Sequence, residues 1–102
     1  MSAGALRYVI ADAEELARQH PQTFRIPPLV YRQRVSPGDR VKLVFVPTRK
    51  PGMNERMWVR VDTCEADGSY TGTLNNAPTL DLGIRPGDLV RFEPRHVIDM
   101  AR

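Results

Sequence analysis

Polar and apolar residues alternate most cleanly over Glu55-Arg56-Met57-Trp58-Val59-Arg60-Val61. Successive side chains of an extended chain point to opposite faces, so a period of two predicts a strand. Met57, Val59 and Val61 then face a core, and Arg56, Trp58 and Arg60 share the other face. The largest aromatic of the chain thus stands between two guanidinium groups on a nominally polar surface. Two readings follow. A helix or the N-terminal segment covers Trp58 in a second small core, as suits a residue that is highly buried on average. Otherwise Trp58 is a partly exposed anchor for a partner, a role in which Trp and Arg are over-represented.

The same period appears twice more, each time behind a Pro-Gly-Asp turn. Ser36-Pro37-Gly38-Asp39-Arg40-Val41 and Arg85-Pro86-Gly87-Asp88-Leu89-Val90 share proline, glycine, aspartate, one variable residue and then valine. Proline presets φ at the second turn position, and glycine accepts the positive φ that a type II turn needs at the third. Each turn launches a strand: Val41, Leu43 and Phe45 alternate with Lys42 and Val44, and Val90 and Phe92 with Leu89, Arg91 and Glu93. The central strand runs to about Glu65. With Asp67-Gly68 as a two-residue hairpin turn, Val61 lies opposite Leu74 and Glu65 opposite Tyr70. Tyr70, Gly72 and Leu74 then join Val59 and Val61 on the core face, and Thr71, Thr73 and Asn75 join Arg60, Asp62 and Cys64 on the other.

Helical signals are short. Asp12-Ala13-Glu14-Glu15 has the spacing of a capping box and opens a helix over Ala13 to Gln19, stopped by His20-Pro21. Arg7-Tyr8-Val9-Ile10 ahead of it reads as a helical extension or an edge strand. Phe24 and Ile26 pin an extended connector to the body. Pro28 suits the first turn of a short helix to about Gln33, whose buried side is Leu29, Val30 and Val35. Pro47 to Asn54 is a polar loop carrying Arg49 and Lys50. Leu80, Leu82 and Ile84 return to the core, and Pro94 to Met100 reads as a terminal helical turn. The prediction is one α+β domain over residues 1–102: a small, strongly bent antiparallel sheet or partly open β-barrel of about four or five strands, with an N-terminal helix and short helical turns.

Composition changes this picture little. An apolar fraction of 41% and a charged fraction of 26% are those of an ordinary globule. The start of the sequence lacks the sustained apolar region of an export signal, and no apolar run approaches the roughly 20 residues of a membrane span. A single cysteine leaves no internal disulfide, which fits a cytoplasmic location. Charge is more informative. The net of +3 divides into −2 over residues 1–15, +8 over residues 16–60 and −3 over residues 61–102. The middle of the chain is therefore a candidate basic surface for an acidic protein or a nucleic acid.

Catalytic chemistry finds little footing. A nucleophile needs a base and an orienting group, and nothing in the sequence brings His20 or His96 to Cys64. Metal binding lacks an i, i+4 ligand pair, and there is no phosphate-cradling glycine loop. The reading is of no enzyme, no metal and no cofactor. Asn76 and Glu55 are the better polar-site residues, although an Asn bonded to a local turn is the commoner case. His96 reads first as a satisfied surface or cap histidine, and otherwise as one that sits near Glu55 or Asn76.

The Glu55 acid ahead of Met57-Trp58-Val59, the run Gly72-Thr73-Leu74-Asn75-Asn76-Ala77-Pro78, the strand Gly87-Asp88-Leu89-Val90-Arg91-Phe92 and the close at Ile98-Asp99 resemble, in order and spacing, the small bacterial family called domain of unknown function 2314 and its relatives. Met100 departs from it, standing where a tryptophan is expected. The resemblance implies a compact α+β domain and imports no activity. Some relatives are similar to immunity proteins of bacterial toxin systems, which implies a protein-binding role. The expectation is a non-enzymatic bacterial binding module that meets an acidic protein partner, of the immunity type in its narrower form, through Arg49, Lys50, Glu55, Arg56, Trp58, Arg60, Asn76 and His96. The alternatives are a nucleic-acid-binding β domain using residues 16–60 and a purely structural protein.

Overall fold

The computed structural model describes residues 7–50 and 52–101. The reading of the first residues as lacking an export signal falls largely outside them, as does Pro51 of the basic loop. Among the described residues six strands form one antiparallel sheet: β1 (Tyr8–Ile10), β2 (Arg40–Pro47), β3 (Glu55–Cys64), β4 (Tyr70–Leu74), β5 (Leu89–Phe92) and β6 (Asp99–Ala101). The order is β1-β2-β3-β4-β5, and β6 returns to pair with β2. The result is the small α+β domain with a bent, nearly closed sheet that alternation predicts. The strand beyond the expected count is β6: a 3-10 turn over Pro94–His96 gives way to it, where a helical turn through Met100 was expected.

β1 and β6 occupy one edge of β2 end to end. Ile10 lies opposite Phe45, and Asp99 lies opposite Lys42. β3 takes the other edge over Arg40 to Phe45. The edge-strand alternative for Tyr8-Val9-Ile10 is the one realised.

Alternation delivers the core it promised. Val41, Leu43, Phe45, Met57, Val59, Val61, Tyr70, Leu74, Val90 and Phe92 are buried inside the sheet with Leu82, Ile84 and Val97. At roughly 1.5–3 kcal/mol for each large apolar side chain removed from water, this cluster dominates stability. Tyr70 turns its hydroxyl to the Arg32 carbonyl at 2.8 Å, so its one polar atom is satisfied inside.

The hairpin between β3 and β4 forms, in a different register. Val59 pairs with Leu74 and Val61 with Gly72, then the ladder slips so that Thr63 pairs with Thr71 and Cys64 with Tyr70. Asp62 is the extra residue of a β-bulge, which adds one residue to one strand and reverses the alternation beyond it. The core assignment of Val59, Val61, Gly72 and Leu74 survives because the shift there is an even number. Cys64 does not keep its place: it moves to the Tyr70 side, with Sγ donating to the Val35 carbonyl at 3.3 Å.

Both Pro-Gly-Asp turns have the predicted geometry, with Gly38 at φ 94° and Gly87 at φ 92°. They also dock alike. Gly38 donates its N–H to the Val61 carbonyl and the Asp39 carbonyl accepts from Val61, both at 2.8 Å. Gly87 and Asp88 do the same with Leu74, both at 2.9 Å.

The helix α1 (Ala13–Gln19) has the predicted bounds, with the Asp12 carboxylate accepting from the Glu15 N–H at 3.1 Å. Glu15 does not reach back to complete the box; it pairs with Arg18 instead. For α2 (Leu29–Arg32) the predicted buried side is wrong in two residues of three. Leu29 and Val30 are exposed, Val35 is buried, and Arg32 is the residue of the helix that goes inside. Its guanidinium meets Glu14 at 2.8 Å and the carbonyls of Pro27 and Pro94 at 2.7 and 2.9 Å.

Candidate functional site

Core residues on β2 and β3 dictate what the outer face of the sheet carries. With Val41, Leu43, Met57 and Val59 inside, Arg40 and Lys42 of β2 and Arg56, Trp58 and Arg60 of β3 point out. Register sets them side by side: Arg40 opposite Arg60, Lys42 opposite Trp58, and Val44 opposite Arg56.

Trp58 is half-buried, neither the member of a sealed second core nor a free-standing ring. The Lys42 ammonium lies 4.8 Å from its ring centroid, a cation–π contact that also covers part of the indole. The N-terminal segment does come to this face, one position along: the Phe24 ring lies 5.5 Å from the Arg56 guanidinium. Val44, beside them, is 4% exposed although it points away from the main core.

Charge on this face is poorly balanced. Arg60 is held by Asp62 at 3.3 Å, while the other Asp62 oxygen accepts from the Thr73 hydroxyl at 2.5 Å. Arg40, Lys42 and Arg56 have no ion-pair partner among the described residues. The Arg40–Arg60 pair sets like charges directly across two strands, an arrangement that destabilises a sheet.

The other expected site residues are placed elsewhere. Arg49 and Lys50 stand on the exposed β2–β3 loop, around a groove with Arg7, Leu80 and Asp81. Glu55 is a clamp: its carboxylate accepts from the N–H groups of Thr79 and Leu80 at 2.9 to 3.1 Å and from the Thr79 hydroxyl at 3.1 Å. Asn76 extends a ladder, its Oδ1 accepting from the Trp58 N–H at 2.6 Å while the Asn75 N–H donates to the Trp58 carbonyl at 2.9 Å. A side chain thus replaces the strand partner that β4 no longer supplies.

His96 is the cap histidine of the first reading, with no hydrogen bond to Asn76 or Glu55 among the described residues. Its Nδ1 accepts from the Glu93 N–H at 2.9 Å, closing the 3-10 turn, and it lines a shallow groove with Tyr8, Ile10 and Leu89. Burial, and then the neighbouring Arg95 charge, push its pKa down.

Arg40 and Lys42 belong to this face and were not singled out from the sequence. The signal that finds them is the alternation of β2, but their adjacency to Trp58 and Arg60 depends on a register across a long loop. The basic segment is also less uniform than its net charge suggests, since Arg18 and Arg32 are spent on Glu15 and Glu14. A groove of about 570 Å³ lies at the hairpin end beside Cys64, Glu65 and Tyr70, and none of the basic-face residues lines it. No helix among the described residues is long and apolar enough to cross a membrane.

Comparison with family models, with curated proteins and with solved structures yields no match.

Proposed function

We propose that the outer face of β2 and β3 is a docking surface for an acidic protein, and that the chain works as a non-enzymatic binding module. The observation that carries this is the Arg40–Arg60 pair flanking Lys42 and Trp58. Like charges set opposite one another cost stability, and an anionic partner repays that cost on binding. Aromatic and arginine side chains at the centre of a patch are the usual anchors of an interface. The narrower form, an immunity-type role against a bacterial toxin, rests on the sequence resemblance alone. The same cations would meet nucleic-acid phosphates; the two rings on this face, Trp58 and Phe24, already carry Lys42 and Arg56, which leaves little for stacking bases.

Capture experiments with Arg40→Gln decide the matter. Removing one of two repelling charges is expected to leave thermal stability unchanged or slightly raised, yet to reduce recovery of a protein partner from host lysate. Wild-type capture should survive nuclease and decline as salt is raised. Equal recovery by the variant overturns the reading, and loss of the captured material on nuclease treatment transfers it to nucleic acid.

A further inference from the structure

Resting on that reading, we infer that a small pocket beside Trp58 is a carboxylate site, built to take an aspartate or glutamate side chain of the partner. The pocket, of about 220 Å³, lies where the connector crosses the outer face, and Phe24, Arg25, Lys42, Arg56 and Asp99 line it. Three separate stretches of chain converge there: the connector, the β2–β3 pair and the residues leading into β6. Its three cations have no ion-pair partner among the described residues.

Two of the cations rest against rings, which limits their freedom before any ligand arrives. Arg56 lies near Phe24, 5.5 Å to the centroid, and Lys42 near Trp58, 4.8 Å to the centroid. Side chains ordered in advance lose less entropy on binding. The main chain fixes the walls, since the Ile98 N–H donates to the Lys42 carbonyl at 2.9 Å.

Asp99 stands inside the pocket as well. One of its oxygens accepts from the Met100 N–H at 2.8 Å, and its charge beside the three cations leaves a net of two positive charges. That net draws small anions in general, and the acidic-protein reading of the face makes a carboxylate the one it meets. The volume suits one small group rather than a run of phosphates.

The test uses a short fluorescently labelled poly-glutamate peptide, followed by anisotropy with the intact protein at low salt. Inorganic phosphate and an oligothymidylate serve as competitors at matched ionic strength. Arg25→Gln and Lys42→Gln are each expected to weaken the peptide roughly threefold to fivefold and together about tenfold, the scale of partly exposed ion pairs. Arg85→Gln, on a distant turn, should leave affinity unchanged. Melting curves establish that each variant folds.

Unchanged affinity in the Arg25→Gln/Lys42→Gln double variant overturns the pocket. If Arg40→Gln still weakens the peptide in that case, the docking face stands without it. Displacement by phosphate or oligothymidylate at lower concentration than unlabelled peptide overturns the carboxylate assignment, and so does failure of the peptide to bind at any concentration. If neither set of variants moves affinity, pocket and docking face fall together.

Discussion

At the scale of single residues, Gly72 shows how closely β3 and β4 approach. A Cβ built on it lies 2.5 Å from the Arg60 carbonyl oxygen and 2.6 Å from a Val59 methyl. Backbone cannot retreat as a flexible side chain can, so Gly72→Ala forces the hairpin apart. Overpacking of this kind costs about 1–3 kcal/mol, and a thermal melt of the variant should show the midpoint falling accordingly; an unchanged midpoint would mean the strands separate freely there. From the sequence Gly72 is one residue of a predicted strand, and its need for no side chain becomes visible only once β3 lies against it. Trp58 is the counterpart. Alternation put it on the outer face, but its half-buried state depends on Lys42 across the ladder.

At the scale of elements, Arg32 joins the helical layer together. Its guanidinium reaches Glu14 in the first turn of α1, the connector at Pro27 and the 3-10 turn at Pro94. Hydrogen bonds to a charged group contribute about 1.5–3 kcal/mol each where they are buried, and several are lost in Arg32→Ala. We expect that variant to lose at least about 3 kcal/mol in denaturant unfolding. A loss under 1 kcal/mol would show that α1, α2 and the 3-10 turn hold together without it. No pattern reading finds this, because a charged residue in a short helix is assigned outward and Leu29 and Val30 inward. What was legible was each element's own period: the core faces of β2, β3, β4 and β5, the bounds of α1 and the two Pro-Gly-Asp turns. What was not legible was anything set by a partner element. The Asp62 bulge changed the hairpin register and moved Cys64. The turn beyond Glu93 yielded to a strand because β2 had an edge to fill at Arg40 to Lys42. Glu55 and Asn76 were recognised as polar sites, but their work is to hold the loop beyond β4.

At the scale of the whole molecule, stability acquires a pH dependence through His96. The folded protein holds its imidazole below the ordinary pKa of about 6.5, because burial disfavours the charged ring and the Arg95 charge adds to this. Between the folded and unfolded values the unfolded chain binds more protons, so stability falls as pH drops below about 6.5. Protonation also removes the Nδ1 lone pair that accepts from the Glu93 N–H. Denaturant midpoints at pH 7.5 and 5.5 should therefore draw closer together in His96→Gln than in the wild type. An identical difference in both would assign the acid sensitivity between these two pH values to groups other than His96. The charge distribution acts at the same scale. The basic outer face shares no residue with the groove beside Cys64, so a partner docked on β2 and β3 would leave the Cys64 end of the barrel open to solvent.

The shared edge of β2 governs how the chain must fold. β1 and β6 follow one another along that edge as two pieces of a single interrupted strand, one from each end of the fold. Neither piece exceeds three residues, and neither is stable until β2 is in place. The edge is complete only after the last strand of the fold has left the ribosome. Pairings of such large sequence separation form slowly, and until they form, Arg40 to Lys42 offers open hydrogen-bonding groups to any other chain. The cations at those positions then act in a second way, since charged side chains on an uncovered edge discourage self-association. Repulsion that costs the finished sheet stability protects the unfinished one.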